Sequence, residues 1–271
     1  MNLIIFILMS EESKIREIAV THHHKYAKKF FDYYEQLKKD KYNNAFTYGR
    51  YKLDNLIKKL IYTERKDSKF LDVGCGTGEH LNLAKSYNYD AYGIEPAEDM
   101  IRFAKSSYPE FKIKKGLSNN LEFEDNFFDI VLMVEVLRYL DKKDIEDSLK
   151  EAKRVLKPGG KIIVTLVNKW SLDFFFIFQN LRKIFKKTSI DEINPHCEFY
   201  TPNNAEKLFR KIGFVEVVSY GNMFAILRVA YKLNKNIGSW LAKKLDKFDD
   251  KFHSFQLTKP FAGHLILTAK K

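Results

Sequence analysis

Short apolar runs alternate with segments of helical spacing through the middle of the chain. The apolar runs predict strands at Lys69–Val73, Ala91–Glu95, Phe111–Lys115, Phe128–Val134 and Lys161–Val167. Segments with helical spacing lie between them at Glu79–Tyr87, Ala97–Ser107 and Asp141–Leu156. This alternation predicts an α/β fold in which a parallel sheet is covered by helices on both faces.

The pattern changes on both sides of this region. Upstream, no Gly or Pro interrupts Ser10–Tyr48, which predicts an N-terminal helical cap over residues 1–68. Downstream, two insertions at 168–200 and 222–259 flank a predicted helix, Thr201–Ile212, and a strand, Phe214–Tyr220. Gly263–Ala269 is predicted as a closing strand. We interpret residues 69–271 as one domain whose two insertions form a helical lid.

Composition narrows the class of protein. A chain of 271 residues that is 45% hydrophobic and 15% aromatic can fill a core, which excludes a disordered protein. Two cysteines, Cys75 and Cys197, make no disulfide framework and lack zinc-ligand spacing. Adjacent histidines at 22–24 point in different directions on a helix, so no metal site is expected. A cytoplasmic location follows from the cysteine usage.

Charge is unevenly distributed along the chain. The net charge of +12 divides into +6 for residues 1–69, −3 for 70–168 and +9 for 169–271. Basic flanks of this kind attract nucleic acid, an anionic membrane or an acidic substrate, and they also occur as solvated lysine-rich surfaces. The apolar run Leu3–Leu8 is too short to span a bilayer, and we interpret it as a frayed extension or a misplaced start.

A glycine-rich loop, Leu71-Asp72-Val73-Gly74-Cys75-Gly76-Thr77-Gly78, follows the first strand. Ligands of parallel sheets bind beyond the carboxyl ends of the strands, where this loop lies. Its glycines occur at every second position, whereas the dinucleotide-binding fingerprint has glycine spacings of two and then three. Asp72 precedes the glycines. An acid there repels a pyrophosphate but suits an ammonium group. Glu95 ends the next strand, with Pro96 beside it, and can accept hydrogen bonds from both hydroxyls of a ribose.

Four motifs carry a resemblance to a known family. LDVGCGTG, YGIEPAEDM, FDIVLMVEVLRYL and RVLKPGGKIIVT follow one another over about 100 residues. They resemble the class I S-adenosylmethionine-dependent methyltransferases. The resemblance implies a Rossmann-like, three-layer fold with a seven-stranded sheet, mostly parallel, whose last strand is antiparallel.

The same resemblance implies S-adenosylmethionine as cofactor and assigns its contacts. The loop would hold the methionine end, Glu95 the ribose, Met100 the adenine, and Met133 would line the cofactor. The loop residues in this set are Asp72, Gly74, Cys75, Gly76 and Gly78.

The chain departs from the family pattern at two places. Many relatives have Gly-Asp-Ala after the third strand, whereas this chain has Gly116-Leu117-Ser118. Leu117 cannot accept a hydrogen bond from the adenine, and Ser118 or backbone groups are the expected replacements. A frequent Glu-His after the fourth strand appears here as Arg138-Tyr139, which removes one histidine base.

The layout after the fifth strand is similar to that of methyltransferases of quinone biosynthesis, especially the ubiquinone O-methyltransferase group. An apolar stretch is followed by His196 and by Phe199-Tyr200-Thr201-Pro202. We therefore take His196 as a candidate general base, with Glu135 as a second candidate. Arg50 is a candidate partner for the cofactor carboxylate.

Three functions remain open at this point. The first is methylation of a hydroxyl or carbon on a small-molecule acceptor, either lipophilic or anionic. The second is a nucleic-acid methyltransferase, but the segment after the fourth strand, Val134–Leu137, lacks the Pro-Pro-aromatic motif of amino-directed enzymes. The third is a non-catalytic membrane-surface protein that retains the fold.

Two apolar stripes motivate the third function. Basic helices with apolar stripes can lie in a membrane interface or can pack on the core. The stripes are Phe174, Ile177, Phe178, Leu181, Ile184 and Phe185, and Leu241, Leu245, Phe248, Phe252 and Phe255.

Overall fold

Two helices precede the sheet. The computed structural model describes residues 10–62, 67–171, 176, 196–224, 226–252 and 259–271, and in it α1 spans Glu11–Lys39 and α2 spans Ala45–Ile61. The Asn44 side chain accepts hydrogen bonds from the first turn of α2, and Thr47 closes a reciprocal capping box. The predicted N-terminal cap therefore consists of two helices separated by residues 40–44. The break contains no Gly or Pro, and it occurs because Asn44 caps the start of a new helix.

Eight strands form one sheet among the described residues. They are β1 Lys69–Val73, β2 Asp90–Glu95, β3 Lys112–Lys115, β4 Phe128–Met133, β5 Leu156–Asn168, β6 Phe199–Tyr200, β7 Val215–Phe224 and β8 Ala262–Lys270. The order is β3-β2-β1-β4-β5-β8-β7, and the short β6 pairs with β5. β8 is antiparallel to both β5 and β7, while the other pairs are parallel. The predicted mostly parallel sheet with an antiparallel last strand is confirmed.

Helices cover both faces of this sheet. Their bounds are α3 Glu79–Ser86, α4 Glu98–Ser107, α5 Lys142–Val155, α6 Pro202–Ile212, α7 Ile226–Leu233 and α8 Lys235–Phe252, with 3-10 turns at Leu137–Tyr139 and Lys259–Phe261. Alternate residues of each strand point to opposite faces. Leu71 and Val131 therefore pack with α5 and α6, whereas Phe70 and Ile130 pack with α2, α3 and α4. The result is the three-layer architecture that the sequence predicts.

The predicted turn after α5 is a bulge within β5. Phe128 of β4 pairs with Leu156, and Ile130 pairs with Lys161, so the residues 157–160 lie opposite Asp129 alone. Gly159 has a φ of 74°, which a glycine tolerates. Lys157 donates to Asp129 at 2.7 Å. β5 therefore begins at Leu156 and not at the predicted Lys161, because residues 157–160 form a bulge that does not interrupt the pairing with β4.

The two insertions differ in how far the structure describes them. Most of 168–200 lies outside the described residues, including all but one residue of 172–195, and so does its apolar stripe. The second insertion contains α7 and α8, and β7 extends three residues into it, to Phe224. The division into a cap and a domain at residue 68 stays a prediction. No helix of the described part of the chain is long and apolar enough to cross a membrane.

Candidate active site

The loop between β1 and α3 is packed on one side and open on the other. Gly74 and Gly76 have φ values of 72° and 52°, in the left-handed region that favours glycine. A Cβ on Gly74 would lie 2.4 Å from Cγ2 of Val136, whereas a Cβ on Gly76 would meet no atom within 4 Å. Gly76 thus leaves space beside the backbone for a ligand to approach.

Glu95 lies at the carboxyl end of β2, next to this loop. Its two carboxylate oxygens accept hydrogen bonds from the backbone N–H groups of Gly76 at 3.0 Å and Ala97 at 2.9 Å. The carboxylate is only 5% exposed, and burial raises its pKa to about 7 in spite of these hydrogen bonds. A buried carboxylate held in this way can still accept hydrogen bonds from a ligand through its remaining lone pairs.

A charged network lies behind the loop. His80 Nε2 is 3.2 Å from Asp54 Oδ1, and its Nδ1 is 3.8 Å from Asp72 Oδ2. Arg50 Nε is 3.1 Å from Asp54 Oδ1. Asp72 Oδ2 is buried and has no hydrogen-bond partner among the described residues, and burial raises the pKa of Asp72 to about 6. Buried acids with raised pKa values beside a cleft are common at functional sites.

A cavity of about 490 Å³ opens beyond the carboxyl ends of β1, β2 and β4. This volume lies within the range of small-molecule sites. The sheet side contributes Gly74, Gly76, Ile94, Glu95, Val134 and Glu135. The opposite wall comes from α1 and α2, including Arg16, His23, Phe30, Tyr34, Phe46 and Arg50. The N-terminal helices therefore close the site as well as packing against the sheet.

Polar groups gather at one end of the cavity, after β4. Glu135 adopts a φ of 59°, unusual for a residue with a Cβ, and accepts a hydrogen bond from Arg138 at 2.7 Å. His264 Nε2 lies 3.5 Å from Glu135 Oε1, and Arg228 donates to His264 Nδ1 at 2.9 Å. Burial opposes ionisation, but the charges of His264 and Arg138 hold the pKa of Glu135 at about 2. Glu135 is therefore an anion at neutral pH.

His23 of α1 faces the same cavity. Its Nδ1 lies 2.7 Å from the Ala19 carbonyl oxygen, which can only accept, so Nδ1 carries the proton. The ring stacks on Phe30 and meets Tyr139 edge-on, with centroid distances of 5.6 and 4.9 Å. Burial lowers the pKa of His23 and favours the neutral ring. No described residue forms a hydrogen bond with Nε2, so this lone pair is available.

The other end of the cavity is more apolar. Met100, Pro96 and Leu117 line it, as expected for the region of an adenine. Ser118 also lines it, but its hydroxyl already bonds Ser148 Oγ at 2.8 Å. Cys75 belongs to the lining too, and burial raises the pKa of its thiol well above the ordinary value. The thiol is therefore protonated.

Four of the predicted site residues do not line the cavity. Asp72 lies beneath the loop, and Gly78 faces Phe111, whose ring a Cβ would approach to 2.9 Å. Met133 is fully buried among core side chains, because strand alternation turns it away and presents Val134 instead. His196, the candidate base, pairs with Glu198 at 3.1 Å and is absent from the lining.

Several cavity residues were missed from the sequence. They are Arg16, His23, Tyr34, Glu79, Arg228 and His264. The histidine triplet at 22–24 has no spacing that connects it with the glycine loop. Arg228 and His264 are separated from the glycine loop by 150 positions or more, so no local motif connects them with it. The predicted site residues Gly74, Cys75, Gly76, Glu95 and Glu135 lie on the lining as the sequence placed them.

Comparisons with known proteins agree with this geometry. Residues 71–164 match the family model described as a methyltransferase domain. The chain is 30% identical over 219 residues to a demethylmenaquinone methyltransferase of Staphylococcus aureus, covering 73% of this chain and 90% of that protein. The chain belongs to the class I S-adenosylmethionine-dependent methyltransferases.

Solved structures of this methyltransferase fold are similar to most of the chain. A methyltransferase of Thermotoga maritima superposes with a TM-score of 0.58 at 21% identity, over 92% of this chain and 99% of that one. A phosphoethanolamine N-methyltransferase of Haemonchus contortus, solved with S-adenosylhomocysteine, superposes with a TM-score of 0.55 at 17% identity. That match covers 81% of this chain and 52% of the other. These two likenesses show the fold.

The cofactor of this family is S-adenosylmethionine, and the cavity fits it. Space beside Gly76 admits a ligand against the backbone, and Glu95 stands at the strand end with lone pairs to accept hydrogen bonds. Glu79 and Arg50 offer opposite charges in one region of the lining. S-adenosylmethionine is a zwitterionic amino acid joined to a nucleoside, so its charged groups and ribose hydroxyls are complementary to these charged and hydrogen-bonding side chains.

Proposed function

We propose that this methyltransferase methylates a lipophilic, ring-containing small molecule at a hydroxyl group or at a ring carbon activated by one. The observation that carries the proposal is the single cavity that runs from the glycine loop to the side chain of His23. A cofactor on the loop and an acceptor beside His23 would share this cavity. Close approach and alignment of the two provide much of the acceleration of methyl transfer.

A lipophilic acceptor is favoured over an anionic one. Arg16 forms a forked ion pair with Asp144, with N···O distances of 2.9 to 3.1 Å. Arg138 is paired with Glu135 at 2.7 Å. Of the four arginines on the lining, Arg50 lies 3.1 Å from Asp54 and Arg228 donates to His264. The charges of Arg16 and Arg138 are thus neutralised by acids of the chain itself. The walls between them are apolar, with Ala19, Val20, Phe30, Phe46, Val136 and Leu140. The demethylmenaquinone methyltransferase of Staphylococcus aureus supports a quinone-like ring.

For the cofactor, we propose contacts residue by residue. Glu95 would accept from the ribose hydroxyls, and Met100 and Leu117 would pack on the adenine. Arg50 would pair with the carboxylate of the methionine moiety and Glu79 with its ammonium. Asp72 would add negative charge behind His80 without touching the ligand. Bound S-adenosylmethionine supplies an electrophilic methyl group on a sulfonium.

His23 is the proposed general base. Its neutral ring presents Nε2 to the cavity, while the Ala19 carbonyl fixes the tautomer. An acceptor hydroxyl gives its proton to Nε2 as the acceptor takes the methyl group. Loss of that proton makes the oxygen, and the ring carbons ortho and para to it, nucleophilic. Glu135 is unsuited to this role, since its pKa of about 2 makes it a weak base.

The test measures S-adenosylhomocysteine formation with a reduced, short-tailed demethylmenaquinone, and with the same ring after its hydroxyls are blocked. We expect turnover only with the free hydroxyls. His23→Gln should lower kcat by about 100-fold or more while retaining cofactor affinity. His22→Gln is the matched control, because His22 is adjacent but lies off the cavity. Equal activities of the His23 and His22 variants would exclude His23 as base, and turnover of a phosphorylated acceptor alone would exclude the lipophilic class.

A further inference from the structure

Helix α8 has an inner face that is firmly packed. Leu241 and Leu245 are half-buried against a cluster that includes Tyr48 and Leu227. A Cβ on Gly238 would lie 2.5 Å from the Tyr231 ring of α7, so a glycine is needed for the close approach of the two helices. The Leu241 and Leu245 part of the predicted stripe is therefore a core face, and the Phe252 and Phe255 side chains lie outside the described residues.

Hydrogen bonds and an ion pair also connect the inner face of α8 to the N-terminal region. Asp246 of α8 accepts hydrogen bonds from Lys52 at 2.9 Å and Tyr42 at 2.8 Å. Lys52 is 4% exposed, so this ion pair is shielded from water on the lysine side. Tyr231 also donates to the Tyr42 carbonyl at 3.0 Å. With one face fixed at several points, α8 presents its opposite face to solvent.

That opposite face carries large apolar side chains. Ile237, Trp240 and Phe248 are 53%, 58% and 51% exposed, and Leu233 at the end of α7 is 81% exposed. On a helical projection, Ile237, Trp240, Lys244 and Phe248 fall within an arc of about 80°. We call Leu233, Ile237, Trp240 and Phe248 the outer face. Single exposed apolar residues are ordinary, but a row of four on one helical pair is not.

Lysines surround the outer face. The exposed ones are Lys232, Lys235, Lys243, Lys244 and Lys247. Among the described side chains of α7 and α8 the single acid is Asp246, which points to the inner face. Over residues 232–248 the surface therefore combines apolar side chains with five lysines and one aspartate, and Asp249 and Asp250 follow in the sequence. An anionic lipid bilayer has the complementary arrangement, with phosphates above hydrocarbon.

We propose that the outer face docks on the surface of an anionic lipid bilayer. Trp240 lies at the interface, Leu233, Ile237 and Phe248 enter the acyl boundary, and the lysines contact lipid phosphates. This goes beyond the proposed function, since the surface lies outside the cavity and makes no contact with the reacting groups. Arg228, which lines the cavity, precedes Leu233 on α7 by five residues, or about 7.5 Å of helix. Docking would bring the cavity wall near the lipid.

The two tryptophans of the chain allow a direct test. Trp170 and Trp240 are both exposed, so Trp170→Phe leaves Trp240 as the sole tryptophan without disturbing the core. The full-length variant is mixed with vesicles of phosphatidylcholine alone, or with 30% phosphatidylglycerol. We expect sedimentation with the anionic vesicles and a blue shift of the Trp240 emission. Sedimentation without any blue shift would overturn insertion, and so would a shift with neutral vesicles equal to that with anionic ones.

Paired variants then locate the binding surface. Each lysine near an anionic surface strengthens partitioning about fivefold, so Lys244→Gln with Lys247→Gln should weaken it about 25-fold. Lys142→Gln with Lys143→Gln is the control, because it removes the same charge from an exposed part of α5. Phe248→Ser should reduce binding at both low and high salt. An equal loss in the control pair would contradict the proposal, as would undiminished binding after Phe248→Ser. None of these readouts depends on methyl transfer.

Discussion

The buried carboxylate of Glu95 should make the stability of the ligand-free protein depend on pH. Burial raises its pKa from 4.5 to about 7, and the side chain is only 5% exposed. The ionised form is thus disfavoured in the folded protein by about 3 kcal/mol. Below pH 4.5 the carboxyl is protonated in both the folded and unfolded states. As the pH rises from 4.5 to 7, the unfolded chain ionises first and folding weakens.

Glu95→Gln removes this titration. The free energy of unfolding of the variant, minus that of the native protein, should rise by about 3 kcal/mol between pH 4.5 and 8. The glutamine amide has one oxygen and cannot accept from both Gly76 and Ala97, so the variant is destabilised by about 1 to 3 kcal/mol at every pH. The test therefore depends on how the difference changes with pH and not on its absolute value. The same substitution should weaken S-adenosylmethionine binding by about 10- to 100-fold.

Urea unfolding of the cofactor-free protein at a series of pH values measures the difference, with calorimetry for cofactor binding. Glu122→Gln is the control, because it makes the same chemical change at an exposed glutamate. A flat difference for Glu95→Gln, or one that falls as the pH rises, would refute the argument that burial controls this carboxylate. Unchanged cofactor affinity would refute its proposed role as ribose ligand.

Two further substitutions test packing and charge. Gly74→Ala should destabilise the fold by about 1 to 3 kcal/mol more than Gly159→Ala. Both glycines have a φ above 70°, but an added Cβ would collide with another side chain, that of Val136, only at Gly74. Equal urea midpoints for the two variants would show that the Val136 side chain moves aside at no cost. Lys52→Met should cost about 3 kcal/mol, because it leaves Asp246 without its nearest cation, and Lys52→Met with Asp246→Leu should recover most of that loss in the same assay. A double variant no more stable than the single one would show that the other partners of Asp246 dominate.

The sequence predicted the sheet well because each strand carries its own signal. Phe128–Met133 is apolar except for Asp129, as expected for a strand largely buried on both faces, and lies within one residue of its predicted bounds. The error at Lys157–Gly160 has a physical cause. Pro and Gly predict a turn, whereas pairing with β4 continues around a bulge that only tertiary contacts specify.

The substrate side of the site was predicted less well. The sequence proposes His196 as a base because of its place in an insertion; in the structure its ring pairs with Glu198, and His23 of the N-terminal helix lies on the cavity. The second apolar stripe, which the sequence allows at a membrane interface or on the core, was likewise divided, since Leu241 and Leu245 pack inward and the neighbouring Trp240 is exposed. Helical spacing identifies a stripe but does not say which neighbour covers it.

The glycine loop, Glu95 and the succession of strands along the chain were determined by the sequence itself. Their chemistry is local, because a turn needs glycine at given positions and a strand end places its last carboxylate at the sheet edge. The end of the cavity proposed for the acceptor was decided by the tertiary structure alone. His23, Glu135 and His264 are distant in the chain and meet only because α1 packs over the edge where β4 ends and β8 begins. Residues that meet through packing leave no spacing in the sequence from which their meeting could be predicted.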